Sequence, residues 1–140
     1  MAAFNKFENF VEDLASGVHQ FHAAGHTLKV YLSNTAPTAA TDEIKTGLAE
    51  ITNENGYAAP SDVQNDISRT GGTLSVTGTD VVITADSGTV GPFRYVVLYN
   101  DTPAGPVDPL IGWWDYGSAI TLQDTETFTI DFGTSLFTLA

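Results

Sequence analysis

The chain has no cysteine and only five basic residues among its 140. Without cysteine it has no disulfide, no thiolate metal site and no cysteine nucleophile, and it needs no oxidising compartment. Its 17 acidic residues leave a formal net charge of −12. Binding DNA or RNA replaces counterions with Lys and Arg, so nucleic acid is a poor partner for such a chain. An anionic lipid surface repels it as well. Long apolar runs are also missing. No segment approaches the roughly 18 apolar residues that suggest a membrane span. Lys6, Glu8, Glu12 and Asp13 interrupt the N-terminus before it reaches the length of a signal-peptide core. We expect a soluble protein made in a bacterial-type cytoplasm, with neither nucleic acid nor membrane as partner.

Recognisable chemistry is equally scarce. The three histidines fall in one stretch, His19, His22 and His26. A helix running through them would align all three, an acceptable geometry for zinc or nickel. Gly25 breaks such a helix before His26, and no neighbouring carboxylate completes a ligand set. No metal and no cofactor are therefore expected. A Gly-x-Ser-x-Gly elbow is absent. Gly71-Gly72 is followed by neither the Lys nor the helix of a phosphate loop, and no dinucleotide fingerprint occurs. Pairs of carboxylates can be nominated anywhere in a chain with 17 acids, so they carry little information. With no catalytic set in view, the expected role is non-enzymatic.

Strand text, by contrast, is abundant. Gly91 to Asn100, Leu110 to Gly117 and Thr125 to Phe132 are rich in aromatic and β-branched residues. From Thr27 the period is two, with Leu28, Val30 and Leu32 facing one way and Lys29 and Tyr31 the other. Short β segments follow at about Thr73 to Thr77 and Val81 to Ala85. Ala119 to Leu122 and Phe128 to Phe132 read as two halves of a hairpin, and Leu136 to Leu139 as a last strand. Asn55-Gly56 marks a turn. Residues 36 to 47 read as a surface excursion, and 58 to 72 as an extended loop or weak edge strand. Pro103, Pro106 and Pro109 exclude an interior strand between Asp101 and Pro109.

Ahead of these strands, Phe4, Phe7, Val11, Leu14 and Val18 recur at steps of three and four, one apolar stripe of a helix. Asn5 is a candidate cap and Gly25 a candidate stop. The expected fold is mainly β: one domain, 1–140, an antiparallel β-sandwich or jelly-roll-like barrel preceded by an N-terminal amphipathic helix. Residues 1–25 form the helix or arm and 27–140 the β body. The helix either covers one end of a sheet or docks on a neighbouring subunit.

Adjacent residues of a strand point to opposite faces, so Trp113 and Trp114 should differ in burial. We expect Trp113 in the core on the face of Ile111, and Trp114 outside with Gly112 and Tyr116. Interfaces are enriched in Trp, Tyr and Arg. The interface candidates are Phe4, Phe7, Phe10, Phe21, Arg94, Tyr99, Trp114 and Tyr116.

The helix text Lys6 to Leu14, the strand Leu28 to Pro37 and the block Gly91 to Phe132 resemble small virion structural proteins of tailed bacteriophages. The similarity is faint between about Thr38 and Gly88. This resemblance implies a particle component on the outer capsid surface, made in the bacterial host cytoplasm. Within a virion it points to a capsid cement or decoration protein that binds the major capsid protein as a homo-oligomer, a trimer being favoured. A tail, baseplate or fibre module that binds host surface glycan is the alternative, with an exposed Trp113 or Trp114 stacking on sugar.

Overall fold

The computed structural model describes residues 2–58 and 60–140. In chain order it contains β1 (Phe4–Lys6), α1 (Asn9–Ala15), β2 (Leu28–Ser33), β3 (Ser61–Asp62), β4 (Asp66–Thr70) and β5 (Thr73–Thr77). These are followed by β6 (Val81–Thr84), β7 (Val90–Asn100), β8 (Leu110–Leu122), β9 (Thr127–Ile130) and β10 (Phe137–Leu139). The fold is mainly β with antiparallel sheets and one short N-terminal helix, and the sheets do not close into a barrel.

Five strands form the central sheet in the order β1-β8-β7-β2-β3. Its two middle strands are the aromatic blocks of the sequence. Every residue of β7 from Tyr95 to Asn100 is buried, as expected where both faces of a strand are covered. On one face Leu28, Val30, Leu32, Val96, Leu98 and Trp114 meet a second layer carrying Val76, Ile83, Ile130, Phe132, Leu136 and Phe137. That layer consists of the sheet β10-β5-β4 and the pair β6-β9. On the opposite face Tyr31, Tyr95, Val97, Tyr99 and Leu110 are covered by Phe7 and Leu48. The surface excursion expected at 36 to 47 leads into that second cover. Ile44 bridges to Pro109, and the Leu110 amide donates to Glu43 O at 2.9 Å.

The N-terminal segment departs from the single helical stripe. Phe4 lies on β1, paired with Trp114 at the edge of the central sheet. Asn5 is on the same strand, and Glu8 occupies the helix N-cap without a side-chain hydrogen bond. The helix itself is seven residues long and buries Phe10 and Asp13, while Val11 is exposed. It ends at Ala15 and is closed by Gly17, not Gly25. Gly17 has φ +78°, the left-handed conformation that glycine adopts without a Cβ penalty. Its amide donates to Leu14 O at 3.2 Å, and the Val18 amide donates to Asp13 O at 2.9 Å. That pair of bonds is the Schellman closure of a helix. Steps of three and four thus spanned a strand, a connector and a helix. Phe10 and Phe21 join the main core cluster, so residues 1–25 pack into the β body.

The two tryptophans occupy faces opposite to those expected. Trp114 is 1% exposed in the sandwich core, while Trp113 is half-buried against Phe7 on the other face. The reason is a β-bulge. Leu98 pairs with Gly112 but Tyr99 pairs with Leu110, so Ile111 is an extra residue on β8. One inserted residue reverses the alternation. It sends Ile111 to the face of Trp114, and Leu110 to the face of Trp113. A larger irregularity lies further along. Phe93 pairs with Ile120 and Tyr95 with Asp115, so Arg94 alone opposes residues 116–119.

The expected hairpin between 119–122 and 128–132 does not form. Instead β9 pairs with β6, Val81 opposite Ile130 and Thr84 opposite Thr127. A turn at Gln123–Glu126, closed by the Glu126 amide on Gln123 O at 2.9 Å, carries the chain into the second layer. There Phe128 packs edge-on against Phe93 and Tyr116, with centroids 4.9 and 5.2 Å apart. In the 58 to 72 segment, β4 is an exposed edge strand. It pairs with β5 across Gly71-Gly72, Thr70 opposite Thr73.

Gly112 is needed for the edge strand to dock. A Cβ there would lie 2.3 Å from the Phe4 ring and 2.4 Å from Asn5 O. Gly112→Ala should therefore push β1 off β8 and cost about 1–3 kcal/mol, the usual range for overpacking. Trp114→Ala should cost ~3–5 kcal/mol, the range for deleting a buried aromatic, and Trp113→Ala clearly less. Denaturant melts of the three variants check this order. Equal losses at the two tryptophans would contradict the assignment of faces.

Candidate functional site

The eight interface candidates do not converge on one surface. Phe10, Phe21 and Trp114 are buried in the sandwich core, and Phe7 and Tyr99 under the opposite face. These five side chains are buried within the chain and are not offered at its surface. Phe4 is partly buried, stacked on Phe137 at 5.2 Å and edge-on to Trp114 at 5.4 Å. Arg94 and Tyr116 remain partly exposed. The Arg94 Nε and Nη2 donate to the two carboxylate oxygens of Asp115 at 2.8 and 3.0 Å. This bidentate pair holds the Asp115 carboxyl below its usual range, helped by the Gly117 amide. The Arg94 guanidinium also lies 5.3 Å from the Tyr95 ring centroid.

Three arrangements carry chemistry. The first is a polar network under the 34–50 segment. Tyr57 donates to Glu50 Oε1 at 2.7 Å and accepts the Leu32 amide at 2.9 Å. Lys45 Nζ sits 2.8 Å from Glu50 Oε2 and 4.8 Å from the Tyr31 ring centroid. Burial, and then the Glu50 charge, raise the Tyr31 phenol well above its usual pKa. Burial raises that of Tyr57 too. Both hydroxyls therefore remain protonated donors. This network fastens the loop to the sheet, with Lys45 and Glu50 partly exposed at its edge.

The second arrangement joins two of the three histidines. His19 and His26 both meet Asn100, with Nδ1 of each about 3 Å from the amide Nδ2 (3.0 and 2.9 Å). His22 is exposed and takes no part. The helix that would have aligned the three ends at Ala15. Among the described residues no group of three or more His, Cys, Asp or Glu side chains is placed to hold a metal ion. Nor does any Ser or Thr hydroxyl hydrogen-bond to a histidine there. Asn100, buried and 74 residues beyond His26, has no sequence signal linking it to the pair.

The third is a groove of about 350 Å³ between the edges of β1 and β10, lined by Phe4, Lys6, Phe10, Ser135, Phe137 and Leu139 among others. None of the acidic residues lines it. Lys6 makes no ion pair among the described residues, whereas Lys29, Lys45 and Arg94 each do. Among the described residues no helix is long and apolar enough to cross a membrane. No protein-family model matches the chain, and neither a curated protein nor a solved structure shows significant similarity to it.

Tyr57→Phe tests the fastening network. It leaves the fully buried Leu32 amide without an acceptor, so it should cost about 1–3 kcal/mol, the penalty for an unsatisfied buried donor. A denaturant melt within error of the parent would show that Tyr57 contributes only its ring.

Proposed function

We propose that this chain is a non-enzymatic structural protein of a tailed-bacteriophage virion. Its role would be that of a capsid cement or decoration protein, bound to the outer shell and stabilising it. The observation that supports this reading most is where the resembling segments lie. Lys6 to Leu14 supplies the end of β1 and most of α1, Leu28 to Pro37 supplies β2, and Gly91 to Phe132 supplies β7, β8 and β9. Three of these strands, β8, β7 and β2, are consecutive neighbours in the central sheet. The dissimilar text, 38 to 88, builds most of the 34–50 cover and strands β3 to β6. A net charge of −12 suits an exterior position, since the field of packaged DNA repels an acidic body. The proposed partners are the major capsid protein and further copies of this chain, with a trimer favoured.

A second reading, a tail or fibre module that binds host glycan, is favoured by one feature. Trp113 remains half-buried, its ring 4.6 Å from Phe7, on the face that also carries Tyr95. An aromatic face open to solvent can stack on a sugar.

Particles with and without the protein separate the two. A ligand that binds only the intact lattice stabilises it by mass action. Shells stripped of a cement protein should therefore assemble but burst at lower temperature, and label on the protein should spread over the icosahedral heads. Unchanged heat resistance, with label confined to the tail tip, would overturn the cement reading and favour the glycan one.

A further inference from the structure

Asn100 closes β7 with no solvent exposure, and both ends of its side chain are engaged. Its Oδ1 accepts the Thr102 amide at 3.2 Å, which fixes the orientation of the carboxamide. Nδ2 therefore faces Nδ1 of His19 and Nδ1 of His26. An amide NH₂ only donates, so each imidazole must accept at Nδ1 and carry its proton on Nε2. A protonated ring would set N–H against N–H. The His19 ring packs against both Phe21, stacked at 5.4 Å, and Phe10, tilted at 5.3 Å, and its buried Nε2 has no hydrogen-bond partner among the described residues that could share a second proton's charge.

Among the described residues no carboxylate hydrogen-bonds to the His19 ring, and His26 is the one titratable neighbour whose charge acts on it. From α1 His19 meets Phe10, from its own segment Phe21 and His26, and from β7 Asn100. Of the nearby carboxylates, Asp13 accepts from Asn9 at 3.1 Å. Asp101 pairs with Lys29 at 2.8 Å and accepts from Tyr99 at 3.2 Å. Asp66 of β4 accepts the Ala23 amide at 3.2 Å. Asp62 of β3 lines a polar cavity together with His26, Gln64 and Asn65, but makes no hydrogen bond to the ring.

We propose that His19, Asn100 and His26 form an acid-released latch that holds the segment from Ser16 to Thr27 closed over Phe10 and Phe137. The segment contains no strand or helix. Other bonds also fasten it: Asn65 donates to Phe21 O at 2.8 Å and to His26 O at 3.0 Å, Asp66 accepts the Ala23 amide at 3.2 Å, Thr102 accepts the Thr27 amide at 2.9 Å, and the Asp101 amide donates to Thr27 O at 3.0 Å. Beneath it Phe21 packs on Phe137 at 5.4 Å and on Phe10 at 6.1 Å. Phe10 and Phe137 also line the groove between β1 and β10. Release of the segment would open that apolar groove inward.

Burial, and then the neighbouring His26, hold His19 down at about 4, against an ordinary value of 6.5. A histidine whose pKa is lower in the closed form favours that form fully above its ordinary value. The preference is lost as pH falls through the closed-form value. Between neutral pH and about pH 4, opening should thus be favoured by on the order of 10²-fold, one decade per unit of displaced pKa.

Hydrogen exchange read by mass spectrometry and corrected for intrinsic rate decides the point. On acidification the amides of residues 18–26 should lose protection at least about tenfold more than those of β7. His19→Phe, which keeps an aromatic ring against Phe10 and Phe21 without titrating, should abolish that difference. Loss of protection in both regions together, or an undiminished difference in the variant, would overturn the latch. Should the variant fail to fold, ¹⁵N shifts of the parent's His19 ring serve instead. A proton on Nε2 at neutral pH and protonation well below the ordinary value are expected. Protonation at the ordinary value with the segment still closed would refute it.

Discussion

A strand whose side chains are buried in both directions must be covered twice, and β7 is such a strand. The chain meets this demand with two unlike covers. One is a layer of short strands contributing Val76, Ile83, Ile130 and Phe132, and the other is a loop that brings Leu48 over Tyr31, Val97 and Tyr99. Most of the aromatic residues are used up in the process. That is why Phe7, Phe10, Phe21 and Trp114 are inside the chain and not on a docking face. It also explains the polar network at Glu50, since a loop lying on a buried sheet must satisfy the amides and hydroxyls it covers.

The charge is arranged around this core without being neutralised by it. Three ion pairs occur among the described residues, and Lys6 and Arg69 take part in none of them. Most carboxylates are therefore solvated and repel one another, a cost that salt screens. The groove between β1 and β10 is an acid-free opening in this surface. The histidine latch borders it through Phe10.

The strands were legible where the physics is local. Continuous apolar text marked β7, strict alternation marked β2, and Asn55-Gly56 marked a turn that the Tyr57 amide closes on Glu54 O at 2.9 Å. What failed depended on distant partners. Phe4 fits a helical period, but its ring finds space over Gly112, more than a hundred residues away. The Gly17 stop was readable, since a glycine directly after Leu14-Ala15-Ser16 is a recognised helix end. The bulge at Ile111 left no local mark, and one extra residue was enough to exchange the faces of Trp113 and Trp114. For the candidate site, the sequence grouped the histidines but could not show that Asn100 joins two and leaves the third in solvent.

Native-state hydrogen exchange along β7, followed across denaturant, tests the double cover most directly. If both covers are integral to one cooperative core, the amides of Tyr95 to Leu98 exchange only through global unfolding. Their opening free energy then falls with denaturant at the slope of the whole protein. Exchange of these amides through a shallow local opening, while β5 and β6 stay protected, would contradict the account.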